Sequence, residues 1–149
     1  MSVTFRAGVG MVVVGVDGRV LTGERRSAPG AFQLPQGGMR SGEEPLETLW
    51  RELKEETGLR PADVEIVAEV PEWLGYELPV GLRTEKVGRG QVHRWFVLRA
   101  RTAAPPVTVG ENGEFRSWRW MDLDVLADEV VAFRRPVYQR LAQFVGTKR

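Results

Sequence analysis

The sequence lacks cysteine, carries a single histidine and has almost no net charge, and each absence narrows the possible functions. Without cysteine among its 149 residues, the chain forms no disulfide, thiolate zinc site or cysteine nucleophile, which fits a cytoplasmic protein. The sequence offers no Ser-His-Asp arrangement, so we expect water as the nucleophile of any hydrolysis. A formal net charge of +1 does not favour coating of DNA or RNA, although a local basic patch stays open.

Long hydrophobic runs, linkers, repeats and low-complexity segments are also missing. The apolar run 9–16 is too short to cross a bilayer, and no charged leader precedes it. We therefore expect a buried strand there and no membrane partner. A chain of this length suits a single domain over residues 1–149. Nothing in the pattern specifies an oligomeric state.

Apolar periodicity and turn residues predict an α+β fold, with two helices packed on a sheet. The expected strands are 5–14, 19–22, 32–34, 63–70, 74–78, 92–100 and 116–120. Loops are expected at 25–31, 35–42 and 81–90, with turns at 17–18 and 110–113.

Two amphipathic patterns predict the helices. The first helix should begin at Pro45 and end before Gly58. Its expected buried stripe is Leu46, Leu49, Trp50 and Leu53. The second should run over 131–145, with an inner side formed by Val131, Tyr138, Leu141 and Phe144. We expect four tryptophans to lie in the core, namely Trp50, Trp95, Trp118 and Trp120.

An acidic face on the first helix is the strongest functional signal. Glu52, Glu55 and Glu56 lie at i, i+3 and i+4, so all three carboxylates share one side of the helix. Like charges at this spacing repel, and a divalent cation between them would reverse the sign of that interaction. Carboxylate oxygens are the ligands that Mg²⁺ and Mn²⁺ prefer. A solvated, purely structural face is the alternative for an arbitrary motif of this kind.

The surroundings of the three glutamates carry a family resemblance. Residues 37–59 fit the pattern G-x5-E-x7-R-E-U-x-E-E-x-G-U at every fixed position, U being a bulky aliphatic residue. This segment resembles the signature of the Nudix hydrolases, which cleave a nucleoside diphosphate linked to a further group. The resemblance implies an α/β/α sandwich around a mixed sheet and two or more Mg²⁺ or Mn²⁺ ions. Gly37 belongs with the three glutamates in the implied metal site.

Two further residues of the motif are expected to support the site without touching substrate. Arg51 precedes Glu55 by one helical turn and can orient it, as the arginine of the family does. Glu43 can brace the preceding loop through backbone amides. The backbone of Gly37 and Gly38 can approach a phosphate closely, since neither residue has a side chain.

Segments outside the motif resemble one branch of the family, which contains the bacterial RNA 5′-pyrophosphohydrolases and the asymmetric dinucleoside polyphosphate hydrolases. These segments are AFQLPQGGM at 31–39, WLGYELP at 73–79, QVHRWFVLRA at 91–100, EFRSWRWMDL at 114–123 and VVAFRRPVYQRL at 130–141. The similarity implies that Glu114 is an additional metal-binding glutamate. It implies substrate contacts for Arg6, Arg25, Arg26, Gln36, Gly38, Tyr76, Phe133 and Arg134. Each of these has an alternative as an ordinary core or surface residue, and we expect His93 to be a surface residue.

The resulting functional hypothesis is a metal-dependent pyrophosphohydrolase whose glutamates 52, 55, 56 and 114 serve catalysis. We favour 5′-triphosphorylated RNA as substrate, with a basic strip formed by Arg6, Arg25, Arg26, Arg134 and Arg135. The alternative is a dinucleoside polyphosphate such as diadenosine tetraphosphate, cut to ATP and AMP. A binding module without catalysis and an enzyme for another diphosphate are weaker alternatives.

Overall fold

The computed structural model describes residues 4–110 and 113–147, and its centre is an eight-stranded sheet. The strands are β1 Phe5–Val14, β2 Val20–Arg25, β3 Phe32–Gln33, β4 Gln36–Gly38, β5 Val64–Glu69, β6 Leu74–Glu77, β7 Gly90–Ala100 and β8 Phe115–Met121. The helices are α1 Pro45–Thr57, α2 Leu123–Glu129 and α3 Arg135–Thr147. None of the helices in the described part of the chain is long and apolar enough for a membrane span.

The sheet is mixed, with one parallel pair at its centre. β1 runs parallel to β7 over its full length, from the pair Phe5 and Gly90 to the pair Val14 and Arg99. The remaining strand pairs are antiparallel, along the order β3-β2-β1-β7-β5 with β4, β6 and β8 joined to β1, β7 and β2. β4 therefore enters the sheet beside β1, opposite β7.

The two central strands are covered on both faces, which produces two hydrophobic cores. Val9, Met11 and Val13 of β1 pack with Leu49 and Leu53 of α1. Val12 lies between Met11 and Val13 in β1 and therefore points to the opposite face of the sheet. There it belongs to a second core, to which α2 and α3 contribute Leu126, Tyr138 and Leu141. The expected α/β/α sandwich around a mixed sheet is confirmed.

The first helix begins and ends where the sequence predicts. Pro45 occupies its first turn, Glu44 and Glu47 form a capping box, and Gly58 ends it in the left-handed region at φ 77°. The backbone amide of Gly58 donates to the carbonyl of Lys54. Leu46, however, is 47% exposed, so its place in the buried stripe was predicted wrongly. It lies in the first turn, before the helix packs on the sheet.

Four other expectations need correction. The predicted loop 35–42 contains β4, whose glycines gave no apolar alternation to indicate a strand. The second helix is preceded by α2, which Asp122 caps through its side chain. Val131 lies in neither helix and is exposed. Trp95 is fully buried as expected, whereas the other three tryptophans are only partly buried, against the α1 core. Residues 111 and 112 of the predicted turn lie outside the described residues.

Candidate active site

Three glutamates of α1 reach different degrees of burial on the same helical side. Glu52 is 8% exposed, Glu56 is half-buried and Glu55 is exposed. Glu52 lies directly against the backbone of Gly37 in β4, where an added Cβ would overlap its carboxyl group. The glycine of the motif therefore makes room for a buried carboxylate.

Glu114, the residue before β8, lies close enough to these glutamates for its charge to act on Glu56. Burial raises the pKa of Glu56 to about 7, and the charges of Glu114 and Glu52 add to the shift. Burial is also the main cause that raises the pKa of Glu52. The Oε2 atom of Glu56 is buried and has no hydrogen-bond partner among the described residues. We call Glu52, Glu55, Glu56 and Glu114 the carboxylate cluster.

The donor set of this cluster fits a divalent cation, because it contains hard oxygen ligands that repel one another and one buried oxygen without a partner. As the side chains stand, the described residues hold no group of three acidic or histidine side chains arranged closely enough around one point for an ion. Two arginines supply counter-charge instead. Arg51 Nη1 lies 2.7 Å from Glu52 Oε1 and 3.3 Å from Glu55 Oε2, and Arg40 lies 3.6 Å from Glu55.

Arg51 and Glu43 connect the segment around Gly38 to helix α1 through hydrogen bonds. The guanidinium of Arg51 donates to both carboxylate oxygens of Glu43, at 2.7 and 2.8 Å, and to the carbonyl of Gly38 at 2.8 Å. Glu43 in turn accepts from the backbone amide of Arg40 and the hydroxyl of Thr48. These bonds hold the pKa of Glu43 at about 2, with Arg51 the largest cause. The contacts agree with the support that the sequence predicts for both residues.

A cavity of about 340 Å³ opens on the other side of β4. Its lining includes eight residues of the predicted site, namely Arg6, Arg25, Gln36, Gly37, Gly38, Glu114, Phe133 and Arg134. Tyr76, another predicted substrate residue, is buried beneath the lining residue Phe133, and the centres of the two rings are 5.3 Å apart. The cavity and the carboxylate cluster therefore meet along β4 and at Glu114.

Three arginines give the cavity its positive charge. Arg6 crosses β4, and its guanidinium fills the space that a side chain at Gly38 would take. Arg25 Nε lies 3.8 Å from Glu114 Oε1. Arg134 is 6% exposed, and its guanidinium lies 4.8 Å from the ring centre of Phe133 and 5.5 Å from that of Tyr76. Such stacking is typical of arginine beside aromatic rings.

The other two members of the expected basic strip lie elsewhere. Arg26 donates from its side chain to the carbonyls of Gly113 and Gly110, both at 2.9 Å, and from its amide to the carbonyl of Glu114. Arg135 donates to the carbonyl of Val130. Neither lines the cavity, so substrate contact by Arg26 stays a prediction from the resemblance, while its observed contacts hold the loop that leads to Glu114.

Two polar residues of the cavity, His93 and Gln91, were not predicted from the sequence. His93 is 3% exposed and lines the cavity, so its assignment to the surface is wrong. It faces the same side of β7 as the buried Trp95, and strand alternation from that tryptophan was a usable signal. Gln91 also lines the cavity and accepts a hydrogen bond from the hydroxyl of Tyr76 at 2.7 Å. Its role depends on the pairing of β6 with β7, which the sequence did not reveal.

Comparison with known proteins identifies relatives along nearly the whole chain. The NUDIX domain matches residues 4–141. An RNA pyrophosphohydrolase of Rhodospirillum rubrum is 38% identical over 147 residues, which cover 95% of this chain and 88% of the relative. An RNA pyrophosphohydrolase of Halorhodospira halophila is 43% identical over 143 residues, covering 93% and 78%.

Solved structures share the fold at lower sequence identity. The E. coli dihydroneopterin triphosphate pyrophosphohydrolase superposes with a TM-score of 0.72 at 19% identity, over 93% of this chain and 97% of that one. A C. elegans Ap4A hydrolase in a binary complex gives a TM-score of 0.72 at 18% identity, over 95% and 98%. Both likenesses concern the fold alone.

Proposed function

The chain belongs to the Nudix hydrolase family, and from that premise we propose that it removes pyrophosphate from 5′-triphosphorylated RNA. The assignment of this substrate rests on the similarity to RNA pyrophosphohydrolases, at 38% and 43% identity over at least 93% of this chain. The positive cavity beside the carboxylate cluster supports it, because a triphosphate is the most highly charged part of such an RNA. The partner is therefore the 5′ end of an RNA.

Nudix hydrolases generally use divalent metal ions, and we propose that the carboxylate cluster and the backbone of Gly37 hold two or more Mg²⁺ or Mn²⁺ ions. Such ions neutralise phosphate charge and make water a better nucleophile at neutral pH. The buried, unpaired Oε2 of Glu56 and the raised pKa values of Glu52 and Glu56 support this ligand set. Each feature shows carboxylates that their protein surroundings stabilise poorly when charged.

In the proposed reaction, water attacks a phosphorus of the triphosphate and the anhydride bond on its far side breaks. The leaving oxygen keeps the bonding electrons, and the water loses a proton to a carboxylate. Glu56 is our candidate acceptor, because its buried Oε2 has no hydrogen-bond partner among the described residues. Glu52 is the second candidate, and its link to Arg51 favours the charged form.

The cavity arginines bind the phosphates in this proposal, and the aromatic residues hold the nucleoside. Arg6 and Arg25 lie nearest to Gly38 and Glu114, where the cavity meets the carboxylate cluster. Phe133 and Arg134 lie above Tyr76 and offer flat surfaces for a base. Arg134 is buried and forms no salt bridge with a carboxylate among the described residues, so negative phosphates would supply its counter-charge.

The decisive experiment is a product analysis with triphosphorylated RNA and diadenosine tetraphosphate at equal concentration, with magnesium and with EDTA. We expect the higher kcat/KM for RNA, release of pyrophosphate, a 5′-monophosphate RNA product and no turnover with EDTA. A clear preference for diadenosine tetraphosphate, yielding ATP and AMP, would replace the proposed substrate. Binding of RNA without turnover would instead identify a non-catalytic module.

A further inference from the structure

Four side chains around the cavity each carry a buried polar atom that has no hydrogen-bond partner among the described residues. The atoms are Arg25 Nε, Gln36 Oε1, His93 Nδ1 and Arg134 Nε. Arg25 still has a charged partner, since its Nε lies 3.8 Å from Glu114 Oε1, whereas Gln36, His93 and Arg134 are 7%, 3% and 6% exposed. Buried polar atoms are nearly always paired in proteins, so several unpaired ones around a single cavity indicate groups that a ligand satisfies.

The hydrogen bonds around Gln36 determine what such a ligand must offer. Its Nε2 donates to Gln91 Oε1 at 3.1 Å and to the hydroxyl of Tyr76 at 3.3 Å. The same hydroxyl donates to Gln91 Oε1 at 2.7 Å. The amide nitrogen of Gln36 is therefore occupied, and its oxygen remains as an acceptor that needs a donor.

The imidazole of His93 adds no charge of its own to the cavity. Its ring lies 6.0 Å from the rings of Tyr76 and Trp95. Burial lowers its pKa to about 3, and the charges of Arg134 and Arg6 contribute, so the imidazole is uncharged near neutral pH. A neutral imidazole and an amide oxygen are poor partners for a phosphate. They suit a flat, uncharged group with both donors and acceptors on its edge.

We propose that Gln36 and His93 read the edge of a nucleobase, with Gln36 Oε1 accepting a hydrogen bond from an exocyclic amino group. The inference rests on the proposed function, because the base is taken to belong to the RNA whose triphosphate lies between the cavity arginines and the carboxylate cluster. Phe133 supplies the stacking surface, and His93 presents its ring nitrogens to the remaining polar atoms of the base. Gln36 and His93 thus determine specificity and leave the phosphate chemistry to other residues.

The test compares triphosphorylated RNAs that contain adenosine or purine riboside at the first or the second position. Purine riboside differs from adenosine by loss of the exocyclic amino group alone. In the wild-type enzyme we expect kcat/KM to fall about five- to tenfold at one of the two positions when that group is removed. The Gln36→Met variant should lose this discrimination, giving a ratio near one. The ratio is independent of the fraction of enzyme that folds.

Two further variants separate recognition from general damage to the site. Tyr76→Phe removes the hydroxyl that bonds Gln36 and Gln91 but leaves Gln36 Oε1, so we expect it to retain most of the discrimination. Gln139→Met, on the exposed side of α3, is the matched control and should behave as wild type. His93→Leu should lower kcat/KM for both kinds of RNA to a similar extent, because the ring nitrogens that His93 is proposed to contact occur in adenosine and in purine riboside.

Calorimetric binding of the same RNAs without magnesium separates failure of this inference from failure of the proposed function. In one outcome RNA is not hydrolysed, yet adenosine RNAs bind more tightly than purine riboside RNAs and Gln36→Met abolishes this difference. That result would support base recognition by Gln36 and refute the proposed function. If RNA is hydrolysed with wild-type ratios near one at both positions, base reading is wrong and the proposed function stands. Equal loss for both bases in Gln36→Met would also overturn it.

Discussion

The carboxylate cluster and the cavity lie side by side along β4, yet they hold charge of opposite sign. In the cluster, burial and mutual repulsion raise the pKa of Glu52 and Glu56. In the cavity, burial and two arginines lower the pKa of His93. Each region contains a buried polar atom without a partner among the described residues, Glu56 Oε2 in one and His93 Nδ1 in the other.

The difference shows what each region needs to be satisfied. The cluster is stabilised by positive charge and the cavity by negative charge together with a neutral, hydrogen-bonding group. A nucleoside polyphosphate with divalent cations supplies all three. Glu114 lies between the regions, since Glu56 feels its charge while Arg25 and Arg134 favour its charged form. Substitutions in the carboxylate cluster should therefore lower the rate of hydrolysis, whereas substitutions in the cavity should change which substrates are preferred.

The largest effect is expected from Glu56→Gln, which removes the unpaired buried oxygen and one cluster charge. We expect kcat to fall by about 10³-fold or more, consistent with loss of a general base and a ligand. In magnesium-free buffer near pH 8 the variant should be more stable than wild type by roughly 1–2 kcal/mol, after allowance for solvent screening. Steady-state kinetics and urea unfolding measure the two effects.

Magnesium should reverse the stability order in that pair. Wild-type protein gains stability when an ion binds the native state, while the variant gains less because a ligand is missing. A Glu56→Gln enzyme that stays within a few-fold of wild-type turnover would refute the assignment. Glu65→Gln, on β5 away from the cluster, is a matched control that should change neither measurement.

The next effect in size concerns the junction of the two regions at Gly37. An added Cβ would overlap the carboxyl group of Glu52, which is the end of a flexible side chain and can move aside. We therefore expect Gly37→Ala to fold, with a stability loss of about 1 kcal/mol, and to lose roughly 10²-fold in kcat because a misplaced ligand cannot support the reaction. Gly146→Ala has open space around its Cβ and serves as the control. Normal turnover in Gly37→Ala would show that the position of Glu52 is unimportant.

The sequence predicted the carboxylate cluster better than the cavity, for a physical reason. Glu52, Glu55 and Glu56 are neighbours on one helix, so local periodicity alone places them together. Local rules also predicted α1 with its proline start and glycine end, and β1 to its last residue. Local information indicated neither β4 nor α2.

The cavity depends on pairings between distant segments. Gln36, Tyr76 and Gln91 meet only because β4 pairs with β1 and β6 pairs with β7. His93 looked like a surface residue because it is polar and isolated in a strand. The resemblance predicts phosphate contact for Arg25 and Arg26 alike, whereas in the structure Arg25 lines the cavity and Arg26 donates to the carbonyls of Gly110 and Gly113.

A smaller effect should come from Arg26, whose contacts hold the loop on the cluster side. If it positions Glu114, Arg26→Ala should lower kcat about tenfold, raise the magnesium concentration for half-maximal activity and leave KM for RNA within about twofold. Arg26→Lys should recover part of the loss, because an ammonium can still donate to one carbonyl. Arg101→Ala, which removes a similar bond to the carbonyl of Pro61, is the control. A rise in KM at constant kcat would instead support the phosphate contact that the resemblance implies.

The smallest expected effect is a change of the free energy of unfolding with pH. This change should have opposite signs for the buried groups His93 and Glu56 of the two regions. His93 stays neutral when folded, with a pKa of about 3 against an ordinary 6.5, so the unfolded chain takes up the proton first as pH falls. From about pH 7 to about pH 5.5 the buried histidine should cost about 1 kcal/mol of stability. Glu56 has the opposite dependence, because its raised pKa makes the folded state bind the proton first, and stability increases as pH falls. In magnesium-free wild type the two dependences oppose each other.

Urea unfolding at the two pH values, each variant compared with itself, separates these dependences. His93→Gln should become more stable on acidification relative to wild type, and Glu56→Gln should become less stable. The acids with lowered pKa, such as Glu24 and Glu43 at about 2, lose their stabilising charge only below their ordinary value of 4.5, so they contribute little in this window. Parallel pH profiles for wild type and both variants would show that neither buried group differs from its unfolded state, and the electrostatic contrast between the two regions would then have no basis.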